Sequence, residues 1–198
     1  LALRALEIHP PATIILPSYN ASCVPNILQA AGYRLYFVDI NPDSLHLDPQ
    51  ALPSDKPEGA EAIIVTHMEG CPADIGPISS WAKTHGLRVV EDAAHALGAT
   101  LRKAPVGSFG DAAIFSLGRG KLLNTLGGGL CVVQGPEVAK RLNQEVDRLP
   151  ATGTRRVLKE VVLEGVIEAG TLPAVFGTLA MPAIRFARRF GKDPMSQL

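Results

Sequence analysis

Cysteine is scarce in this chain: Cys23, Cys71 and Cys131 are the only three among 198 residues, and no two have a paired spacing. An odd, sparse set excludes a disulfide framework and suits reduced thiols in a cytoplasmic protein. An excess of one charge is missing as well. The 19 Lys and Arg balance the 19 Asp and Glu, for a formal net charge of zero. No basic run is dense enough for a nucleic-acid footprint, so nucleic acid is not an expected partner. No apolar run is long enough to span a bilayer, and residues 172–184 are interrupted by Pro173 and Pro182. The sequence shows no internal repeat and no low-complexity segment, and no signal peptide is visible in it. Its first residue is Leu1 instead of Met, which reads as a trimmed or partial chain.

What is present is enough apolar material for a core. Hydrophobic residues make up 46% and charged residues 19%, which argues against disorder. The length suggests one domain, or one and a fraction. Apolar runs rich in β-branched residues recur at 13–16, 35–38, 62–65, 87–90, 112–115 and 130–133. Their near-continuous hydrophobicity predicts strands covered on both faces, hence a mainly parallel sheet. Helices are expected at about 22–31, 76–85 and 136–147. The second has Pro77 near its start and Gly86 just past its end, the usual asymmetry of helix termini. Strands alternating with helices mean βαβ units and an α/β fold, a sheet flanked by helices.

After residue 150 the character changes. Apolar side chains at 157, 158, 161, 162, 166 and 167 form a helical stripe, and Arg185, Arg188 and Arg189 make a basic tail. A helix lying on a membrane surface is one reading. The preferred one is a helix packed on a second small domain or on a partner subunit.

The chemistry gathers around two residues. Val89-Val90-Glu91-Asp92 reads as the carboxyl end of a buried strand, and Phe115–Gly120 as another strand end leading into a Gly-rich turn before Lys121. Ligands of open α/β sheets sit beyond the carboxyl ends of the strands, so one acid and one amine are expected to face the same crevice. That pair suits pyridoxal phosphate: the lysine condenses with the aldehyde, and the acid keeps the pyridine nitrogen protonated. A phosphate-loop reading fails, because Lys121 is followed by Leu122 and the glycine needed five positions before Gly120 is Phe115. The competing reading of Asp92 is a strand-end acid capping the next helix. That of Lys121 is a surface lysine. His67 and Cys71 stand at i, i+4, but no second pair of ligands is nearby, so no metal is expected.

Glu91-Asp92-Ala93-Ala94-His95, Val106–Asp111, Phe115-Ser116-Leu117, Lys121 and Gly127-Gly128-Gly129 occur in a characteristic order. Upstream stand Pro17-Ser18-Tyr19, Gly32 to Ile40, and Val65-Thr66-His67 to Gly70. Together, over roughly residues 1–145, they resemble the DegT/StrS-type nucleotide-sugar aminotransferases. The resemblance implies the large domain of the aspartate-aminotransferase fold, a three-layer αβα arrangement, over 1–150. Residues 151–198 would then be a helical segment leading to a truncated or absent small domain. It implies pyridoxal phosphate as cofactor, an amino-acid donor such as glutamate, a nucleotide-linked keto sugar as acceptor, and a homodimer.

The resemblance also assigns roles. Lys121 would carry the cofactor and move the substrate proton, and Asp92 would pair with the pyridinium nitrogen. His95 would sit beside the phenolic oxygen. Ser116 would bind the phosphate, unless its hydroxyl simply bonds its own backbone. Gly127-Gly128-Gly129 would lie near the cofactor or the subunit boundary, or form a plain turn. Two departures stand out. The family's phosphate-binding Gly/Ser-Thr segment should lie just before Leu1, so weak cofactor binding and ready association are expected of the chain as given. Many relatives have an aromatic at the place of Ala21 to cover the cofactor ring; here the aromatic is Tyr19. A dehydratase on the same scaffold would replace Lys121 by histidine. A catalytically silent module is the remaining alternative.

Overall fold

The computed structural model describes residues 1–125, 127–182 and 185–186. These fall into two compact units, Leu1–Pro150 and Ala151–Leu198.

The first unit is an α/β layer structure. Its strands are β1 (Thr13–Pro17), β2 (Arg34–Val38), β3 (Ala60–Thr66), β4 (Arg88–Asp92), β5 (Thr100–Leu101), β6 (Ala104–Pro105), β7 (Ala112–Ser116) and β8 (Gly129–Val133). Six form one sheet in the order β2-β1-β3-β4-β7-β8. All neighbours pair in parallel except β7 with β8. The six apolar runs are these six strands, each shifted or extended by a residue or two. No pattern of residues announced β5 and β6, an antiparallel hairpin of two residues per strand. Its turn is made by Arg102 and Lys103 at φ 51° and 69°, left-handed angles without the glycine or asparagine that would announce them.

Helices α1 (Ala2–Ala5), α2 (Cys23–Ala30), α3 (Ile75–Thr84) and α4 (Pro136–Asp147) complete the unit. Alternation along the strands divides the core. Ile14, Leu16, Ile64 and Val90 pack on one face of the sheet with Leu3 of α1 and Leu28 of α2. Ile15, Ile63, Val65 and Val89 pack on the other with Ile75, Ile78 and Ala82 of α3. With side chains of successive residues pointing to opposite faces, both faces must be apolar and covered, which yields three layers. Helix α3 ends as its glycine predicts. Gly86 takes φ +68°, its N–H bonds the Lys83 carbonyl, and Leu87 N–H bonds that of Ala82.

The second unit contains α5 (Thr154–Thr171), α6 (Pro173–Val175) and a π-helical turn over Phe176–Ala180. The helical reading of 154–169 thus matches an element of the structure. Of the basic tail, Arg188 and Arg189 lie outside the described residues. No described helix is long and apolar enough to cross a membrane.

Candidate active site

Parallel strands deliver their carboxyl ends to one edge of the sheet. Thr66 at the end of β3 is in register with Asp92 at the end of β4, and Asp92 with Ile114 near the end of β7. Beyond this edge lies a cavity of about 430 Å³, lined by Tyr19, Thr66, Asp92, His95, Ser116 and Lys121 among others. All five residues assigned to the site from sequence line this one space. Ala21 lines it too, so Tyr19 and the small residue two positions on share a wall.

Asp92 is 4% exposed. Its Oδ1 accepts a hydrogen bond from Ala94 N–H at 3.1 Å. This is a local turn: residues 94–95 and 97–98 are turns, and no helix begins there, so the helix-capping reading fails. Burial pushes the Asp92 carboxyl above its usual range. The Ala94 bond and the charges of His95, His67 and Lys121 pull it back only in part. The carboxyl group is therefore buried with few partners for its charged form.

Lys121 is half-buried. It stands after Gly120, at φ +76°, in a loop whose neck is tied by Leu117 N–H to Gly128 O (3.1 Å) and Thr125 N–H to Leu117 O (2.9 Å). The return strand comes very close: a Cβ at Gly129 would lie 2.4 Å from the Phe115 carbonyl oxygen. The glycine run thus permits the close pairing of β8 with β7 that closes the lysine loop. Ser116 Oγ accepts from Gly118 N–H at 3.4 Å, a long local bond, while lining the cavity. His95 is exposed at the rim and also borders an adjoining space of about 240 Å³ shared with Lys121 and Ser116.

His67 has no capacity left for a metal. It is fully buried; its Nε2 donates to Glu91 Oε2 at 3.1 Å, and its Nδ1 accepts from Ala73 N–H at 3.0 Å. Cys71 is an exposed free thiol.

Two residues at the site escaped sequence reasoning. Glu91 is fully buried and holds the loop after β6. Its oxygens accept N–H bonds from Gly107 (2.8 Å), Phe109 (2.7 Å) and Gly110 (2.7 Å) in addition to the His67 bond. Burial alone would raise its pKa. The His67 bond and the three backbone donors outweigh that and hold it below the usual range. The readable signal was the pair Gly107 and Gly110, since a Cβ at Gly110 would fall 2.7 Å from the Val89 carbonyl oxygen. Asn20 is the other. Its Nδ2 donates to Thr66 Oγ1 at 3.3 Å, whereas its Oδ1 is buried without a partner. Asn20 lines the cavity. Whichever way the amide is turned, one polar atom is left over, and buried polar groups normally find a partner.

Glu91 sets a pH dependence. A carboxyl whose folded pKa is lowered contributes stability that is present above its unfolded pKa and lost as pH falls through the folded value. Glu91→Gln is expected to cost about 3–5 kcal/mol at neutral pH, the range for breaking a buried charged pair. The gap from the parent should narrow below the usual carboxylate range. Urea unfolding at pH 7 and pH 4 measures both; an equal gap at the two values would refute the lowered pKa.

A hollow of about 500 Å³ beside Arg88 and Asp111 lies at the opposite, amino end of β4. Arg88 and Asp111 there already satisfy one another. Asp111 accepts from Arg88 Nη1 at 2.7 Å and from Val89 N–H at 2.8 Å. It is a brace between β4 and β7, whereas the carboxyl-end cavity holds the unsatisfied groups.

The chain is similar to known aminotransferases over most of its length. The model of the DegT/DnrJ/EryC1/StrS aminotransferase family matches residues 1–162. The UDP-N-acetyl-3-dehydro-alpha-D-glucosamine 3-aminotransferase of Acidithiobacillus ferrooxidans is 36% identical over 72% of this chain and 39% of its own. The structure of DesV from S. venezuelae, in complex with a ketimine intermediate, has a TM-score of 0.68 at 35% identity, covering 72% of this chain and 39% of that one. The Bacillus subtilis ntda structure with bound cofactor PMP has a TM-score of 0.67 at 27% identity, over 72% and 32%. The chain thus spans well under half the length of these relatives.

Proposed function

Because the chain belongs to the DegT/DnrJ/EryC1/StrS aminotransferase family, we propose that it is the cofactor-holding part of a pyridoxal-phosphate-dependent aminotransferase. The acceptor is the keto group of a nucleotide-linked sugar, and the donor is glutamate. Residues 1–150 act as the large, cofactor-binding domain and 151–198 as a helical segment leading away from it. The working protein is a cytoplasmic homodimer.

The observation that carries this reading is one cavity lined by both a partner-poor buried carboxylate, Asp92, and the amine of Lys121. The residues suit the cofactor. Asp92 offers an acceptor to a protonated ring nitrogen. Lys121 offers an amine to an aldehyde. Ser116 offers a hydroxyl to a phosphate, and the Asn20 amide has an atom to spare. When bound, pyridoxal phosphate supplies an electron sink for the carbon that loses a proton. Lys121 Nζ, the amine that would engage the aldehyde, would also be the base placed to take that proton and give it back. Asp92 would accept a charge-assisted hydrogen bond from the protonated ring nitrogen. His95, at the rim, would face the ring oxygen, and Tyr19 would cover the ring. Lysine at position 121 favours amino transfer over dehydration on the same scaffold.

The test mixes the protein, charged with pyridoxamine phosphate, with a nucleotide-linked 3-keto or 4-keto sugar and follows the sugar by mass spectrometry. Replacement of the carbonyl oxygen by an amino group is the expected result. A dehydrated sugar, or none converted under conditions where the cofactor is bound, would refute the reading.

A further inference from the structure

One face of helix α5 exposes apolar side chains, and the charged residues beside them among those described are basic. Arg155, Leu158, Lys159, Val162 and Val166 follow the spacing of a single helix face. With Leu163 they line a groove of about 510 Å³. Leu158, Val162 and Val166 are 62%, 58% and 64% exposed. The acids of the same helix, Glu160, Glu164 and Glu168, repeat every four residues on the other side, and the first two are half-buried. Among the described residues, none of those that line the groove is acidic. The sequence extends this bias: residues 169–192 contain no Asp or Glu, but Arg185, Arg188, Arg189 and Lys192. The unit 151–198 has seven basic against four acidic residues, a net +3 in a chain whose total is zero.

We propose that the outward face of α5 docks on a lipid surface rich in anionic headgroups, with the helix lying in the plane of the interface. Leu158, Val162 and Val166 enter the acyl boundary, and Arg155 and Lys159 sit at headgroup level. The distribution of charge selects this occupant, because anionic headgroups meet only basic side chains on this face. Size argues against a second copy of the helix. The stripe from 155 to 166 is about 16 Å long and covers on the order of 200 Å², well below the roughly 800 Å² per partner of a stable interface. This face contributes attachment, not insertion, since no described helix can cross a bilayer.

Flotation of the 198-residue chain tests the proposal, using phosphatidylcholine vesicles with and without about one-third phosphatidylglycerol. The chain should float with the anionic vesicles and much less with the neutral ones. Raising salt to 1 M, where the screening length is roughly 3 Å, should weaken binding. Arg155→Gln with Lys159→Gln should cost about fivefold per residue, the equivalent of about 1 kcal/mol for each basic side chain near such a surface. Leu158→Glu with Val162→Glu should abolish flotation while leaving the circular dichroism of the chain unchanged. Equal flotation with both vesicle types, no flotation with either, or binding unaffected by the double Glu variant would each overturn the proposal. So would a discrete dimer, by sedimentation, that these same substitutions dissociate.

Discussion

Lys121→Ala is expected to leave the protein folded and nearly as stable as the parent while removing amino transfer. The side chain is half-buried in a loop held by backbone bonds of Leu117, Thr125 and Gly128, none of which needs the amine. A substitution of that kind changes stability by about 0.5 kcal/mol or less. The chemical loss is of another order. Without Nζ there is no amine to engage the aldehyde and no base at the reacting carbon. A positioned base alone is worth roughly 10²–10⁴ in rate. Turnover should fall by about three orders of magnitude or more, with loss of the absorbance near the visible edge that a lysine-bound cofactor gives. A variant within tenfold of the parent rate would remove Lys121 from the mechanism.

Asp92→Asn should separate stability from activity in the opposite direction. Burial raises the Asp92 pKa, so its charged form is disfavoured in the folded protein. A group raised in this way contributes stability below its unfolded pKa and loses that contribution as pH rises through the folded one. At neutral pH the charge therefore costs stability, and the isosteric amide should be as stable as the parent or slightly more so. The Ala94 N–H keeps an acceptor. Amino transfer should nevertheless drop by roughly 10²–10³, the usual loss on removing one aligned electrostatic partner. Cofactor should bind about as it does to the parent, because Lys121 and Ser116 remain. Thermal unfolding and turnover measured on the same preparation check both halves. A parent-like rate would refute the electron-sink role; a large fall in stability would show that Asp92 is structural.

The contrast between Asp92 and Glu91 shows what the sequence could and could not say. Asp92 was readable because it ends an apolar strand, and parallel strands send their ends to one edge. Its neighbour Glu91 belongs to the same motif, yet its task is set by three N–H groups of residues 107–110, sixteen to nineteen positions away. No local period encodes such a contact. Asn20 was invisible for a similar reason, since an orphaned amide oxygen exists only once Thr66 has taken the other end of the amide. Long apolar runs announced the six strands of the sheet, whereas two-residue strands with a basic turn could not announce the β5–β6 hairpin. For α5 the pattern of 157, 158, 161, 162 and 166 predicted a helix. Which side stays uncovered depends on what the rest of the unit leaves exposed, and no local pattern states that.

The central assignment is that Lys121 is the residue that engages the cofactor aldehyde. Incubation with pyridoxal phosphate, reduction with borohydride and peptide mass spectrometry address it directly. A pyridoxyl group on the peptide containing Lys121, absent in Lys121→Ala, is the expected result. A pyridoxyl group on Lys83, Lys103 or another lysine, with Lys121 unmodified, would contradict it.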